Sequence, residues 1–488
     1  MLIRQKPRPR VNSLTIFPMT KKGFISKFLL TSIVFTLLSM PAHAAQKVAV
    51  GASCKVKKQS VTNQDMTYTC VKKGKKLVWN KGVKAVVTKT PEVVTQTPEV
   101  AAMTYSNPTQ QSSKIEICKT NENNANRRGM QNALAAGFPS VTNLAIKTGT
   151  VKWALVPLDF TDIPGESNFR SRVNAQMAML SDWFTTVSEG KFKVEWVVAE
   201  KWTTLPGKSS DYIIPFSDGP DRSPAIADFW KKAIAESDKN FDYTDIETVN
   251  FILPLSQTVV SETLQGFPWE QAVKNYVPEE GKVSSFSIPG TFMNHPSRQY
   301  WSYWAHEFGH AMGVPHIGSS RTPNPFLGLD LMSSQDGYTR ELSGWLRFVA
   351  GWLDDEKVFC QEFSKLQSVD LTLVPLSSTS AGLKMVVIPI SDSKTLVIES
   401  RRETKFSCKM PTQKNGVLAY LFDPTLGHGD NFLTPVGPEG RSPEGSSDCQ
   451  VTQYPDPLLY KGQKINVEGM TLEVLDSANF DKIRISKN

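Results

Sequence analysis

Histidine is scarce in this 488-residue chain, which contains only six. Three of the six, His306, His310 and His316, lie within one stretch that reads His-Glu-Phe-Gly-His-Ala-Met-Gly-Val-Pro-His. In a chain so poor in histidine, the chance occurrence of this spacing, with its glycine, is roughly a few in a million. We therefore interpret the stretch as a functional site rather than as a helix whose histidines are buried in the core.

Apolar runs long enough to cross a bilayer are missing from the sequence. The run at residues 28–40 is shorter than the roughly 20 residues that a membrane helix needs. Lysines precede it and the small residues Ala42-His43-Ala44 follow it, which is typical of a signal peptide cleaved after Ala44. We therefore expect residues 1–44 to be a basic leader with a signal peptide, and the product to be secreted into the extracellular space without stable insertion in a membrane.

Acidic residues are almost absent from the first 100 positions, which hold 18 Lys and Arg against 3 Asp and Glu. The remaining positions hold 37 Lys and Arg against 44 Asp and Glu, although the whole chain has a net charge of +8. The basic excess is thus confined to the leader and one small segment, so no nucleic-acid partner is expected. A solvated basic patch, or one that contacts the cell wall, is the simpler interpretation.

The length of the chain predicts more than one structural unit. Residues 45–87 are interpreted as a small basic module clipped by a disulfide between Cys54 and Cys70, and residues 88–113 as a disordered linker rich in Pro and Thr. Residues 114–356 have a globular composition. Short alternating apolar runs separated by turn residues follow, and they predict an all-β, sandwich-like domain over residues 357–488.

The four remaining cysteines allow three pairings. We favour Cys118 with Cys360, which would tie the start of the globular region to its end, and Cys408 with Cys449 inside the sandwich. An alternative for Cys118 is a free inhibitory thiol bound to a metal. Cysteine bridges of this kind are typical of an exported protein.

The globular region alternates strand and helix patterns. Residues 151–160 form a near-continuous apolar run, as expected for a central strand with both faces covered, and helical spacing follows at 167–187. Further strands are predicted at 192–198 and 249–255, with a helix at 223–237 between them. This order predicts an α+β domain with α/β layers.

The histidine stretch is expected on a helix that begins near Ser297, a suitable N-cap. A stripe of large apolar side chains on another face of that helix predicts core packing. The stripe consists of Trp301, Trp304, Phe308 and Met312. The isolated histidines His295 and His428 are interpreted as loop residues outside the motif.

Residues four apart lie on one face of a helix, so His306 and His310 can bind the same metal ion. Gly313 can adopt a positive φ, end the helix and return the chain so that His316 becomes a third ligand. Three protein ligands leave a fourth position for water, as in catalytic zinc sites. One zinc ion would lower the pKa of that water to about 7, and Glu307 is the candidate general base that takes its proton.

The full motif resembles the zinc signature of the metzincin metallopeptidases, whose second feature is a methionine turn beneath the metal. Met332 is the candidate for that turn. Further segments resemble the immune inhibitor A family of secreted bacterial metalloproteases. They are Val-Pro-Leu-Asp-Phe-Thr-Asp at 156–162, Leu-Ser-Gly-Trp-Leu-Arg-Phe-Val-Ala-Gly-Trp-Leu at 342–353, Leu-Val-Ile-Glu-Ser-Arg at 396–401 and Gly-Val-Leu-Ala-Tyr at 416–420. His316 stands where that family has aspartate.

The resemblance implies a metzincin-like catalytic domain with a zinc helix and methionine turn, followed by the all-β domain, and a secreted zinc endopeptidase that acts on proteins or peptides. An extended substrate would lie along a sheet edge. Tyr338 is a candidate to support the oxyanion or the metal, and acidic loops near Asp162 and Asp430 are candidates to hold calcium. Two other functions stay open: a zinc hydrolase of non-peptide wall amides, and a catalytically silent secreted protein that binds wall or polysaccharide.

Overall fold

The computed structural model divides the chain into two compact units, Met1–Met103 and Thr104–Asn488. The structure describes residues 50–54, 60–63, 66–74, 76–81, 83–84, 113–124, 132–141, 144–214, 222–294, 298–318, 323–337, 339–407, 415–438 and 456–488. Several sequence predictions lie outside these residues. They are the signal peptide, nearly all of the linker, Ser297, His295, Tyr338 and the Cys408–Cys449 bridge.

The smaller unit is a short antiparallel sheet. Its strands are β1 (Ser60–Asn63), β2 (Met66–Lys73), β3 (Lys76–Trp79) and β4 (Val83–Lys84), with β2 pairing with each of the others. Cys54 is bonded to Cys70, as predicted, and both pack with Trp79 in a small core. A core of this size stabilises little by itself, so the disulfide matters for folding.

The larger unit begins with a six-stranded sheet. Its strands are β5 (Gly149–Phe160), β6 (Phe192–Val198), β7 (Thr203–Leu205), β8 (Ile246–Ile252), β9 (Leu264–Gly266) and β10 (Ser285–Ile288). The order is β6-β5-β8-β10-β9, and β7 extends the sheet beside β5. All pairings are parallel except that of the edge strand β9, which runs antiparallel to β10. The predicted strands at 151–160 and 192–198 are confirmed, and β8 lies three residues earlier than expected.

Helices cover both faces of this sheet, which explains the continuous apolar character of β5. Trp153 and Leu155 face one core with α1 (Phe169–Val187), whereas Ala154 and Val156 face a second core with α2 (Arg222–Ser237). The two predicted helices are confirmed within two residues. The short helix α3 (Gln271–Asn275) and the strands β7, β9 and β10 were not predicted, because each is too short for a periodic signal.

Two further helices, α4 (Tyr300–Ala311) and α5 (Gly344–Val349), complete this region. Helix α4 begins later than expected: its N-cap is Gln299, in an extended conformation, with no side-chain cap. The predicted apolar stripe of α4 is buried in the first core, as expected for packing against α1 and β5. Among the described residues, no helix is both long and apolar enough to cross a membrane.

The described residues of the C-terminal part form two sheets. Their strands are β11 (Val358–Cys360), β12 (Ser368–Leu373), β13 (Met385–Ser391), β14 (Lys394–Arg401), β15 (Gly416–Phe422), β16 (Leu433–Pro435), β17 (Lys464–Val467), β18 (Met470–Ser477) and β19 (Asp481–Lys487). One sheet has the order β11-β13-β14-β15-β16 and the other β12-β19-β18-β17.

The five-stranded sheet is buried on both faces. Ile388 and Ile398 face the four-stranded sheet, whereas Val387, Val397 and Tyr420 belong to the core that contains α1 and α4. One continuous core therefore runs from the helices into the β-rich part. The predicted bridge from Cys118 to Cys360 is present, with a Cα–Cα distance of 5.8 Å, so the alternative of a free inhibitory thiol at Cys118 is wrong.

Candidate metal centre

Helix α4 carries His306, Glu307 and His310, all of which are buried. The helix ends at Ala311, and two residues later Gly313 adopts a φ of +94°, a conformation that favours glycine. The amide of Val314 donates back to the carbonyl of Gly309 at 2.9 Å, which fixes the reversal of the chain. His316 is thereby returned towards the helix, as the spacing predicted.

The three histidines share one small volume. One ring nitrogen from each of His306, His310 and His316 lies within 4.8 Å of the others, and the ring centroids are 4.3 to 4.9 Å apart. Nε2 of His306 lies 2.6 Å from Nε2 of His316. Two ring nitrogens at such a distance have a proton between them, which a bound cation would replace. Three neutral imidazoles are also the ligand type that zinc accepts, so the donor set fits that metal.

Backbone carbonyls fix the tautomers of the two helix histidines. Nδ1 of His306 lies 3.0 Å from the carbonyl of Leu331, and Nδ1 of His310 lies 2.7 Å from the carbonyl of Val314. A carbonyl can only accept, so each Nδ1 carries the proton and each Nε2 keeps its lone pair for a ligand bond. This arrangement of outer partners is typical of metal-binding histidines.

Burial dominates the electrostatics of the site. It lowers the pKa of His306 to about 4 and, together with His306 and His428, lowers the pKa of His316 to about 2. The pKa of His310 also lies well below its ordinary value, again because of burial. The rings are therefore neutral at pH 7, as metal ligands must be. Burial raises the pKa of Glu307 to about 8, and a cation bound beside it would lower that pKa again.

Met332 lies beneath the helix. A Cβ added to Gly309 would lie 3.2 Å from Sδ of Met332, so the methionine packs against α4 between the two helix histidines. The carbonyl of Met332 accepts from the amide of Ile317 at 3.1 Å, next to the third histidine. The turn that contains Met332 thus contacts both parts of the histidine cluster.

Asp330 holds this turn in place. Its buried carboxylate accepts from the amide of Met332 at 2.7 Å and from the amide of Ser343 at 2.6 Å. Burial raises the pKa of Asp330 to about 6, although these two amides and nearby Arg401 favour the ionised form. Arg401, on β14, also donates to the carbonyl of Leu329 at 3.1 Å. A strand of the β-rich part therefore supports the turn beneath the histidines.

His428 is the site residue that sequence reasoning missed. It lies in the connection between β15 and β16, yet its ring stacks on that of His316 with centroids 5.1 Å apart and an interplanar angle of 18°. The amide of His316 donates to Nδ1 of His428 at 3.0 Å. His428 does lie in a loop and outside the group of three histidines, as predicted, but its contact with His316 was not predicted. The only signal that could have found it is the rarity of histidine in the chain.

A cavity of about 580 Å³ opens onto the cluster. Its lining includes His306, Glu307, His316, Met332 and His428. The edge strand β9 ends nearby. Its carbonyl at Leu264 accepts from the hydroxyl of Tyr303 at 3.4 Å, and the ring of Phe267, which follows β9, lies 6.2 Å from that of His310.

The acidic loops do not form a comparable cluster among the described residues. The carboxylate of Asp162 accepts from the amide and hydroxyl of Ser209 at 2.7 and 2.9 Å, and one oxygen of Asp430 accepts from the amide of Gly427 at 3.1 Å. Within the described ranges, the histidine trio is the group that brings three metal-ligating side chains together. The suggestion of calcium stays a prediction.

No protein-family model matches the chain, and no curated protein sequence matches it. Among solved structures, wild-type OgpA from Akkermansia muciniphila is similar at 12% identity with a TM-score of 0.24, over 61% of this chain and 88% of that chain. A catalytically inactive OgpA in complex with an O-glycopeptide substrate has 11% identity and a TM-score of 0.22, over 61% and 89%. Metalloproteinase-II from Bacteroides fragilis has 12% identity and a TM-score of 0.20, over 53% and 68%. At these values the likenesses carry no argument about activity, which rests on the site itself.

Proposed function

We propose that this protein is a secreted zinc-dependent endopeptidase of the metzincin type, with His306, His310 and His316 as metal ligands and Glu307 as general base. The observation that carries the proposal is the clustering of the three histidine ring nitrogens beside a cavity that His306, His316 and Glu307 line. Nε2 of each helix histidine is unprotonated and can act as a metal ligand, because both Nδ1 protons are donated to carbonyls. We propose Met332 as the methionine turn. The resemblance to the immune inhibitor A family stays an expectation from the sequence.

A zinc ion bound by the three histidines would supply a water of lowered pKa and polarise the scissile carbonyl. Glu307 would be the general base that accepts the proton of the attacking water and, once protonated, the acid that donates it to the leaving amine. Its position between two ligands on one helix turn holds the carboxylate beside the cavity rather than in bulk solvent. Only 8% of Glu307 is exposed, so few waters compete for the proton.

The edge strand β9 is the candidate support for an extended substrate. Its one pairing within the described sheet is with β10, and it lies next to Phe267, whose ring approaches His310. A peptide added along this edge would gain main-chain hydrogen bonds. The scissile bond would then run past the histidine cluster.

The test is cleavage of unfolded casein by the purified secreted protein, with and without a zinc chelator, together with its metal content. Chelator-sensitive cleavage with about one zinc per chain would support the proposal. Zinc without any cleavage of casein would contradict it and favour a hydrolase of non-peptide wall amides.

We further propose that the small N-terminal module contacts anionic wall polymers. Lys72, Lys73 and Lys76 are exposed around the β2–β3 hairpin. A cluster of solvated like charges of this kind attracts polyanions. Binding to purified wall polymer that weakens steeply with added salt would support this role, and salt-independent binding would contradict it.

A further inference from the structure

We propose that His428 is a positioning residue for the third metal ligand, and that the β-rich part is therefore a component of the metal centre rather than an attached binding module. This inference rests on the proposed metal-dependent function. It concerns residues 423–432, the connection between β15 and β16, which we call the clamp loop.

The clamp loop forms hydrogen bonds with both the backbone amide and the backbone carbonyl of His316. The amide of His316 donates to Nδ1 of His428 at 3.0 Å, and the carbonyl of His316 accepts from the amide of Gly429 at 3.1 Å. Two residues further on, the amide of Gly318 donates to the carbonyl of Asp430 at 2.8 Å. The segment that carries His316 is thus paired with the clamp loop almost as one strand is paired with another.

This support is needed because His316 lies outside any helix or strand. His306 and His310 are held by the hydrogen bonds of α4, whereas His316 follows a reversal at Gly313 and lies in irregular backbone. A ligand on irregular backbone loses more conformational freedom when it binds metal than a ligand on a helix does. Holding it in place beforehand removes that entropic cost from the binding free energy.

The clamp loop is itself firmly anchored. The amide of Asp423 donates to the carbonyl of Phe432 at 2.9 Å across its base, and Phe422 and Phe432 are fully buried in the core shared with α4. The clamp loop also forms a hydrogen bond with the N-terminal part of this unit: the amide of Asn123 donates to the carbonyl of Pro424 at 2.6 Å. The β-rich part therefore anchors both ends of the loop that carries His428.

Nδ1 of His428 is the acceptor of the hydrogen bond from His316. Substitutions at His428 can therefore distinguish the effect of losing this hydrogen bond from the effect of losing side-chain volume. Asparagine carries an oxygen on the same Cγ position, so His428→Asn keeps an acceptor for the amide of His316. Leucine has a comparable branched shape without an acceptor, so His428→Leu removes the bond. Thr425→Ala is the matched control, since Thr425 is exposed in the same loop and bonds there to Asp423.

The experiment measures zinc affinity of the full chain by competition with a chromophoric chelator, together with the visible spectrum of the cobalt-loaded protein. His428→Leu is expected to weaken zinc binding about 10- to 100-fold, the usual effect of losing an outer partner of a metal ligand. His428→Asn is expected to restore most of that loss, and Thr425→Ala to bind as the unaltered protein does. The cobalt spectrum should change in the leucine variant only, because it reports ligand geometry.

Zinc affinity of His428→Leu equal to that of the unaltered protein would overturn the proposal, as would equal losses in the leucine and asparagine variants. If His428→Leu does not fold, hydrogen exchange at the amide of His316 decides instead. Slow exchange in the unaltered protein and in His428→Asn is expected, and rapid exchange in the unaltered protein would overturn the proposal. A protein that binds zinc but cleaves no casein would refute the proposed peptidase activity. The role of His428 would still be decided by the zinc affinities of the variants, because that measurement does not depend on cleavage.

Discussion

Replacing Glu307 with glutamine tests the proposed chemistry most directly. The substitution keeps the shape of the side chain and removes its ability to accept a proton. Loss of a positioned general base typically costs about 100- to 10,000-fold in rate. At about 1.36 kcal/mol per tenfold, this corresponds to about 2.7 to 5.4 kcal/mol in the activation barrier.

The fold should tolerate the same change. Burial raises the pKa of Glu307 to about 8, so in the metal-free protein at pH 7 the neutral carboxyl predominates, and glutamine resembles that form. We expect the free energy of unfolding to change by less than about 1 kcal/mol, since no buried charge is left unpaired. Zinc should remain bound, because the proposed ligands are the three histidines.

The assay is casein cleavage under saturating zinc, with the zinc content and the unfolding midpoint of each variant measured in parallel. His310→Ala is the control that should lose the metal and the activity together. Near-normal turnover by a zinc-loaded Glu307→Gln variant would refute the assignment of the base. Loss of zinc from that variant would refute the assignment of the ligands.

Three further predictions concern stability. Asp330→Ala should cost about 2 to 6 kcal/mol in urea unfolding, because it leaves two buried amide donors without their acceptor, at about 1 to 3 kcal/mol each. Asp330→Asn keeps one acceptor and should cost less, and equal costs would refute this account. Replacing both Cys118 and Cys360 with serine should lower the free energy of unfolding by about 5 kcal/mol, since the bridge spans 242 residues of sequence, and an unchanged midpoint would contradict that. Zinc at about 100 times its dissociation constant should stabilise the folded protein by about 2.7 kcal/mol. A melting temperature that is the same with added zinc, with added chelator and with neither would exclude a bound metal.

Long periodic patterns of apolar residues predicted the helices and strands of this chain most accurately. Strand β5 and helices α1 and α2 are close to their predicted bounds because each repeats its apolar residues many times against a core. Shorter elements such as β9 and β10, with three and four residues, carry too few residues for a period to appear. Their existence depends on pairing with neighbours that are distant in sequence.

The trio of histidines could be predicted because its geometry is local. The spacing of His306 and His310 is a property of any helix, and the return of His316 depends on one glycine conformation three residues after the second histidine. The partners of this trio are not local. Leu331, Asp330 and Arg401 support it from positions up to 95 residues away, and no spacing rule connects them.

The sequence by itself determined the local chemistry of this protein: the candidate metal-ligating residue types, their order along one helix and turn, and the cysteine partners Cys54 with Cys70. Only the tertiary structure decided what surrounds that chemistry. His428 reaches the third histidine across 112 residues, because β15 and β16 pack their hairpin into the core that also holds α4. A local pattern depends only on residues that are close in sequence, so it can be predicted from the sequence. A contact across a core depends on how the whole chain packs.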